Sequence, residues 1–317
     1  MSTVNVALVG IGNCASSLVQ GVEYYRDTDY PECAGFAVRQ VAFTAAFDVT
    51  PEKIGKDLSE AVWAAPNNAA AFARVPYAGV PVEEGILGED FGDLAGARGG
   101  RTPEQVAGVL RATGTHVVVS YLPVGHQRAT ELYAEAALLA GCAFVNCMPA
   151  VLARAPEWAG RFERAGLPLV GDDLKSQFGS TLVHRALVDA LTAAGVRLRS
   201  TYQLNAGGNM DFQAMQDPAR MAGKKATKAQ GMAAGRMPDG GQVHVGAEHV
   251  PFLRDRKVAY IRIDGEAFGG TPLEIELRMS VEDSPSAAGN TLDAVRHARR
   301  AMLEGRGGVL NLGLMKA

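Results

Sequence analysis

The chain predicts a doubly wound α/β domain on a parallel sheet, followed by a second domain of different character. Three observations carry this. Short apolar runs rich in valine recur between residues 4 and 173, each bounded by glycine or an acid, as strands buried on both faces do. Helix-period segments lie between them, so strand and helix alternate. A glycine-rich turn joins the first run to the first helix.

VNVALVG (4–10) is the first buried strand and NCASSLVQGVEYY (13–25) the helix after it. VAFTAAFD (41–48) is the second strand, closing on an acid. PEKIGKDLSEA (51–61) opens the next helix with proline in its first turn. Residues 76–101 are rich in glycine and acids, have no period, and predict a surface loop. EQVAGVLRA (104–112) reads as a helix, THVVVSYLP (115–123) as a strand, and QRATELYAEAALLAG (127–141) as a helix closed by glycine. CAFVNC (142–147) and LPLVGDD (167–173) are further strands. After residue 177 the pattern changes. STLVHRALVDALTAAG (180–195) is a long helix leading to STYQLNAGG (200–208). Residues 231–246 predict a flexible loop or lid. KVAYIRIDG (257–265) and LEIELRMSVED (273–283) alternate as strands of an open sheet with one buried face, and SPSAAGNTLDAVRHARRAML (284–303) is helical.

Bulk properties narrow the function. At 317 residues, 47% hydrophobic and 21% charged, the chain has ordinary globular composition and room for two domains. A net charge of −3 supplies no basic field for nucleic acid. The start lacks the basic region and cleavage site of a signal peptide, and no apolar run reaches membrane-spanning length. Four cysteines, Cys14, Cys33, Cys142 and Cys147, match no zinc pattern. The six histidines, at 116, 126, 184, 244, 249 and 297, show no metal-ligand spacing, and His184 reads as a packed core residue. The expectation is a cytoplasmic protein with reduced thiols, no membrane partner and no metal site.

GIGNCA gives Gly10-x-Gly12-x-x-Ala15 between a strand and a helix. The first glycine permits the tight turn, the second admits a pyrophosphate to the backbone, and the small third residue lets helix pack on strand. Gly10, Gly12, Asn13, Cys14 and Ala15 are therefore candidate cofactor-binding positions. Asp48, at the end of the second strand, is the acid expected to bind a ribose diol, which selects NAD over NADP. It comes late because residues 27–40 lengthen the connection. GDDLKSQ (171–177) follows a buried strand, placing Asp172, Asp173, Ser176 and Gln177 at the carboxyl end of the sheet. Lys224 and Lys228, in MAGKKATKAQ, stack like charge on like charge if helical, at a cost of roughly 0.2–0.5 kcal/mol. A solvated face tolerates that; a bound anion explains it.

GIGNCASSLVQGVEYY, AAFDV, SYLPVG, GDDLKSQFGSTLVHR, LNAGGNMDF, GKKATKAQ, DRKVAY and VEDSPSAAG occur in this order. Together they resemble the prokaryotic myo-inositol-1-phosphate synthases from residue 4 to about residue 300. The resemblance implies a Rossmann-like domain interrupted by an α+β catalytic and oligomerisation domain, a homotetramer, and NAD that is reduced and reoxidised within one turnover. It implies boundaries at residues 1–177, 178–282 and 283–317. Glucose 6-phosphate would be oxidised at carbon 5, deprotonated at carbon 6, closed by aldol attack on carbon 1, and reduced. Lys224, Lys228, Lys257 and Lys316 match the family's catalytic lysines, and Asp173 and Asp283 its active-site acids. Asn209 matches a substrate contact, Ser176 and Gln177 further phosphate or cofactor contacts, and Ser120 and Asp172 the cofactor side. Such cations would stabilise the phosphate and the enolate. Taken singly, Asp283 before Ser-Pro is a helix cap, Lys257 an edge-strand charge and Lys316 a solvated terminal lysine. The motif NCMPAVLAR and His126 in LPVGHQ depart from the family's usual wording. A paralogue closing a five-membered ring from fructose 6-phosphate, a simple dehydrogenase and a non-catalytic NAD-binding regulator are the alternatives.

Overall fold

The computed structural model describes residues 3–28, 30–88, 96–216 and 241–315. They form two compact units, residues 1–176 with 287–317, and residues 177–286.

The first unit is built on a seven-stranded sheet. Its strands are β1 (Val4–Val9), β2 (Val41–Asp48), β3 (Val82–Glu84), β4 (Val117–Ser120), β5 (Ala143–Asn146), β6 (Pro168–Val170) and β11 (Gly308–Val309). The spatial order is β11-β6-β5-β4-β1-β2-β3, and every pairing is parallel. Strand order reverses between β1 and β4, the switch point at which such sheets hold ligands beyond their carboxyl ends. Every residue of β4 and β5 is buried, so these strands read as unbroken apolar runs.

The helices of this unit are α1 (Asn13–Tyr25), α2 (Leu58–Ala61), α3 (Pro103–Ala112), α4 (Gln127–Ala140), α5 (Pro156–Arg164) and residues 287–303 of α8 (Asp283–Leu303). Successive strand residues face opposite ways. Val6 and Leu8 therefore pack with Leu18 and Val22 of α1 and Leu292 and Val295 of α8. Ala7 and Val9 pack with Leu110 of α3, Tyr133 of α4 and Phe162 of α5. Burying each large side chain contributes about 1.5–3 kcal/mol. Helix ends follow local chemistry. Thr102 and Gln105 form a capping box ahead of α3, and Gly141 closes α4 in the left-handed region at φ 74°. The long β1–β2 connection is pinned by fully buried Arg296, which donates to the carbonyls of Pro31 and Phe36.

The second unit holds α6 (Ser180–Ala193), β7 (Arg197–Gly207), α7 (Met210–Ala214), β8 (Gln242–His249), β9 (Arg256–Glu266) and β10 (Pro272–Glu282). The sheet order is β10-β9-β7-β8, with β7 and β8 parallel and the other pairs antiparallel. Val188 of α6 packs with Leu198, Ile261 and Ile263, giving the sheet its buried face.

Three expectations need correction, and one helix was not predicted. The helix over 51–61 is only Leu58–Ala61, because Asp57 caps it and residues 51–56 turn. The segment 76–101 contains β3, which pairs with β2. Residues 242–246 belong to β8, not to a lid; Gln-Val-His-Val alternates, and a side chain on Gly246 would strike Leu204 Cδ2 at 2.8 Å. That glycine serves close packing. α5 went unread although Pro156 starts it and Trp158 and Phe162 stand four apart on its buried face.

Candidate active site

The glycine turn lies at the carboxyl end of β1, at the switch point. Gly10 has φ +83°, and a Cβ there would lie 2.8 Å from the Tyr121 carbonyl oxygen, so only glycine fits between β1 and the end of β4. Nothing lies within 4 Å of a Cβ built on Gly12, which leaves open space above the turn. Ala15 is fully buried and lets α1 approach the sheet. α1 begins after Gly12 with no side-chain cap and no acid in its first turn. A 13-residue helix so begun directs its first N–H groups and positive dipole end at the crevice. Ser120 Oγ is buried there with no hydrogen-bond partner among the described residues. Open space, an uncapped helix start and an orphan hydroxyl fit a dinucleotide pyrophosphate.

The polar side chains around the turn are engaged within the protein. Asp48 is 7% exposed and turns its carboxylate inward: Oδ2 accepts from Ile11 N–H at 2.7 Å, and Oδ1 from the N–H groups of Val49 and Thr50 at 2.8 Å each. It ties the end of β2 to the glycine turn before it is a ribose ligand. The Asn13 side chain accepts from Asn68 N–H at 2.8 Å and Ala69 N–H at 3.1 Å, so it anchors a neighbouring segment. Asp172 is fully buried and accepts from Asn146 Nδ2 and from the N–H groups of Leu152, Ala153 and Arg154. It organises the β5–α5 loop. Asp173 is a non-glycine residue at φ 61°, a conformation that concentrates at functional sites. Its N–H donates to the Met148 carbonyl at 3.0 Å. Ser176 is half-buried and Gln177 exposed. Tyr121 OH donates to Thr291 Oγ1 at 2.6 Å, and burial pushes its pKa well up.

In the second unit, three residues named from the sequence meet. Lys257 Nζ donates to Asp283 Oδ1 at 3.2 Å. Asn209 Nδ2 reaches Asp283 Oδ2 at 3.4 Å and Asp255 Oδ1 at 3.2 Å. Asn209 Oδ1 caps α7 by accepting from the N–H groups of Asp211 and Phe212. With both ends of its amide engaged, Asn209 positions two carboxylates. Backbone closeness makes this possible. A Cβ on Gly207 would lie 2.4 Å from the Phe212 ring, and one on Gly208 2.5 Å from Arg254 N. Phe212 in turn lies under Lys257 Nζ, 5.9 Å from its ring centroid.

Sequence reasoning missed Asp255, which is 1% exposed. It accepts from Ser284 Oγ at 2.8 Å and Ser284 N–H at 3.1 Å, and burial raises its pKa while these bonds oppose the rise. The signal was an acid two residues before Lys257 in DRKVAY. Lys224, Lys228 and Lys316 lie outside the described residues. Among the described residues, no group of three His, Cys, Asp or Glu side chains is arranged to hold a metal, and no helix is long and apolar enough to cross a membrane.

The model of the myo-inositol-1-phosphate synthase family matches residues 179–284, the segment that holds Asn209, Asp255, Lys257 and Asp283. Among curated proteins, the inositol-3-phosphate synthase of Corynebacterium glutamicum is 44% identical, covering 97% of this chain and 90% of that one. The enzyme of the same name from Mycolicibacterium smegmatis is 45% identical, covering 96% and 89%. Among solved structures, that of Ari2 superposes with a TM-score of 0.87 at 37% identity, covering 99% of this chain and 92% of that one. Similarity this long and this close, over a seven-stranded doubly wound sheet with a separate four-stranded unit, places the chain in the myo-inositol-1-phosphate synthase family.

Proposed function

We propose that this protein, an isomerase-type enzyme of its family, converts glucose 6-phosphate to 1D-myo-inositol 3-phosphate by oxidation, enolisation, intramolecular aldol addition and reduction. The observation that carries the reading is the Asn209–Asp255–Lys257–Asp283 cluster, which joins an ammonium, two carboxylates and an amide at hydrogen-bond distance.

The glycine turn, the start of α1 and Ser120 hold NAD in this reading, and NAD supplies the oxidation and the compensating reduction. Asp48 keeps the turn in place. Lys257, half-buried and backed by Phe212, places positive charge where an enolate oxygen develops. Asp283 fixes that ammonium. Asp255 holds Ser284 and Asn209, and through Asn209 it orients Asp283. Lys224 and Lys228 carry the phosphate and the proton transfers at carbon 6, with Lys316 and Asp173 assisting. Clustered ammonium groups depress one another's pKa, so one of them exchanges a proton near neutrality. Assembly as a homotetramer in the cytoplasm belongs to the same proposal.

The test is incubation with glucose 6-phosphate, or separately fructose 6-phosphate, and trace NAD, with product identification by NMR. A six-membered cyclitol phosphate from glucose 6-phosphate, without net NADH, is expected. A five-membered product from fructose 6-phosphate alone would replace the substrate, and stoichiometric NADH would replace the reaction by a simple dehydrogenation.

A further inference from the structure

We propose that Lys53 and Asn67 are positioning residues for the dinucleotide, clamping the Ile11 carbonyl so that the Gly10–Gly12 turn presents a fixed set of backbone N–H groups to the pyrophosphate. The inference rests on the reading of this turn as the NAD site. Lys53 is 3% exposed, and a buried ammonium persists only where its donors are used. Its Nζ donates to Ile11 O at 2.8 Å and to Asn67 Oδ1 at 3.0 Å, and stands 3.8 Å from Asp48 Oδ2. Asn67 Nδ2 donates to the same Ile11 oxygen at 2.9 Å and to Val62 O at 3.0 Å.

Ile11 is thus held on both sides. Its N–H is taken by Asp48, and its carbonyl by two converging donors. The N–H of Ile11 is thereby withdrawn from the anion, and the N–H groups that follow it at the head of α1 face the crevice. The segment carrying Asn67 is fixed in turn, since the next two residues donate their N–H groups to Asn13 Oδ1. Asp48, Lys53, Asn67 and Asn13 close one ring of contacts around the turn. Burial lowers the pKa of Lys53, with Asp48 opposing, so the ammonium is held in place by its acceptors and not by solvent.

The test measures NAD affinity by calorimetry and steady-state rate over a range of NAD for Lys53→Met and Asn67→Ala, with exposed Lys56→Met as control. Loss of a buried charged donor weakens NAD binding about tenfold to a hundredfold, and loss of the amide less. The maximal rate at saturating NAD changes far less than the affinity, a split that simple unfolding does not produce, and Lys56→Met binds normally. If Lys53→Met does not fold, Asn67→Ala carries the test. Normal NAD affinity in the folded variants, with the unaltered chain binding NAD, overturns this inference alone. An unaltered chain that does not bind NAD overturns the reading of the turn along with it.

Discussion

Replacing Lys257 by methionine removes the ammonium and keeps the length of the side chain. In the structure that ammonium meets Asp283 at 3.2 Å, with the two side chains 17% and 19% exposed, and lies over Phe212. Loss of a charged hydrogen bond of this kind costs about 1.5–3 kcal/mol in stability, because Asp283 is left with weaker support from Asn209. The rate should fall further, by about 10²–10³ in kcat, since an oxyanion-stabilising donor acts on charge that develops in the transition state. The assay is cyclitol phosphate formation by NMR or coupled phosphate release, with NAD affinity and thermal melting measured on the same preparation. NAD binding should stay near that of the unaltered chain. Asp283→Asn should lose part of the same energy, and the double variant less than the sum, because the two side chains form one unit. A folded Lys257→Met enzyme within tenfold of the unaltered kcat would refute the assignment.

Three further outcomes are expected. Lys224→Ala and Lys228→Ala should each abolish turnover while NAD still binds by calorimetry; retained turnover would remove these lysines from the chemistry. Gly10→Ala should lower thermal stability and NAD affinity together, since φ +83° and a 2.8 Å approach to Tyr121 O both exclude a Cβ. A normal melt with normal affinity would refute the close-approach argument. His184 is fully buried against Thr201 and Gln203, and burial lowers its pKa from the usual 6.5. The unfolded chain then binds a proton that the native state resists, so stability is complete above about pH 6.5 and declines below it, by up to about 1.4 kcal/mol per pH unit from this group. Urea denaturation of the unaltered chain and of His184→Asn between pH 5 and 8 checks this, and an equal acid slope in both would contradict it.

The parallel sheet was legible because strands buried on both faces concentrate valine and end at turn residues, as VNVALVG and VAFTAAFD do. β3 and β11 were not, because edge pairings of two or three residues carry no period. β8 was hidden by its glycine, Gly246, which admits Leu204. Within the site, Lys257, Asn209 and Asp283 were legible through motifs and meet in the structure. Asp255 and Lys53 were not. A buried acid or lysine looks like any surface charge until the fold shows what surrounds it. The inward bonds of Asp48, Asn13 and Asp172 were hidden for the same reason: sequence places a carboxylate or amide near a turn but does not say that backbone N–H groups satisfy it.

The central claim is that oxidation and reduction occur within one turnover at one sugar. Glucose 6-phosphate carrying deuterium at carbon 5 tests it directly, followed by NMR of the product formed with trace NAD. The account predicts a cyclitol phosphate that keeps the deuterium on that carbon and no accumulation of NADH. Loss of the label to solvent, or deuterated NADH released in step with an oxidised sugar, would contradict it.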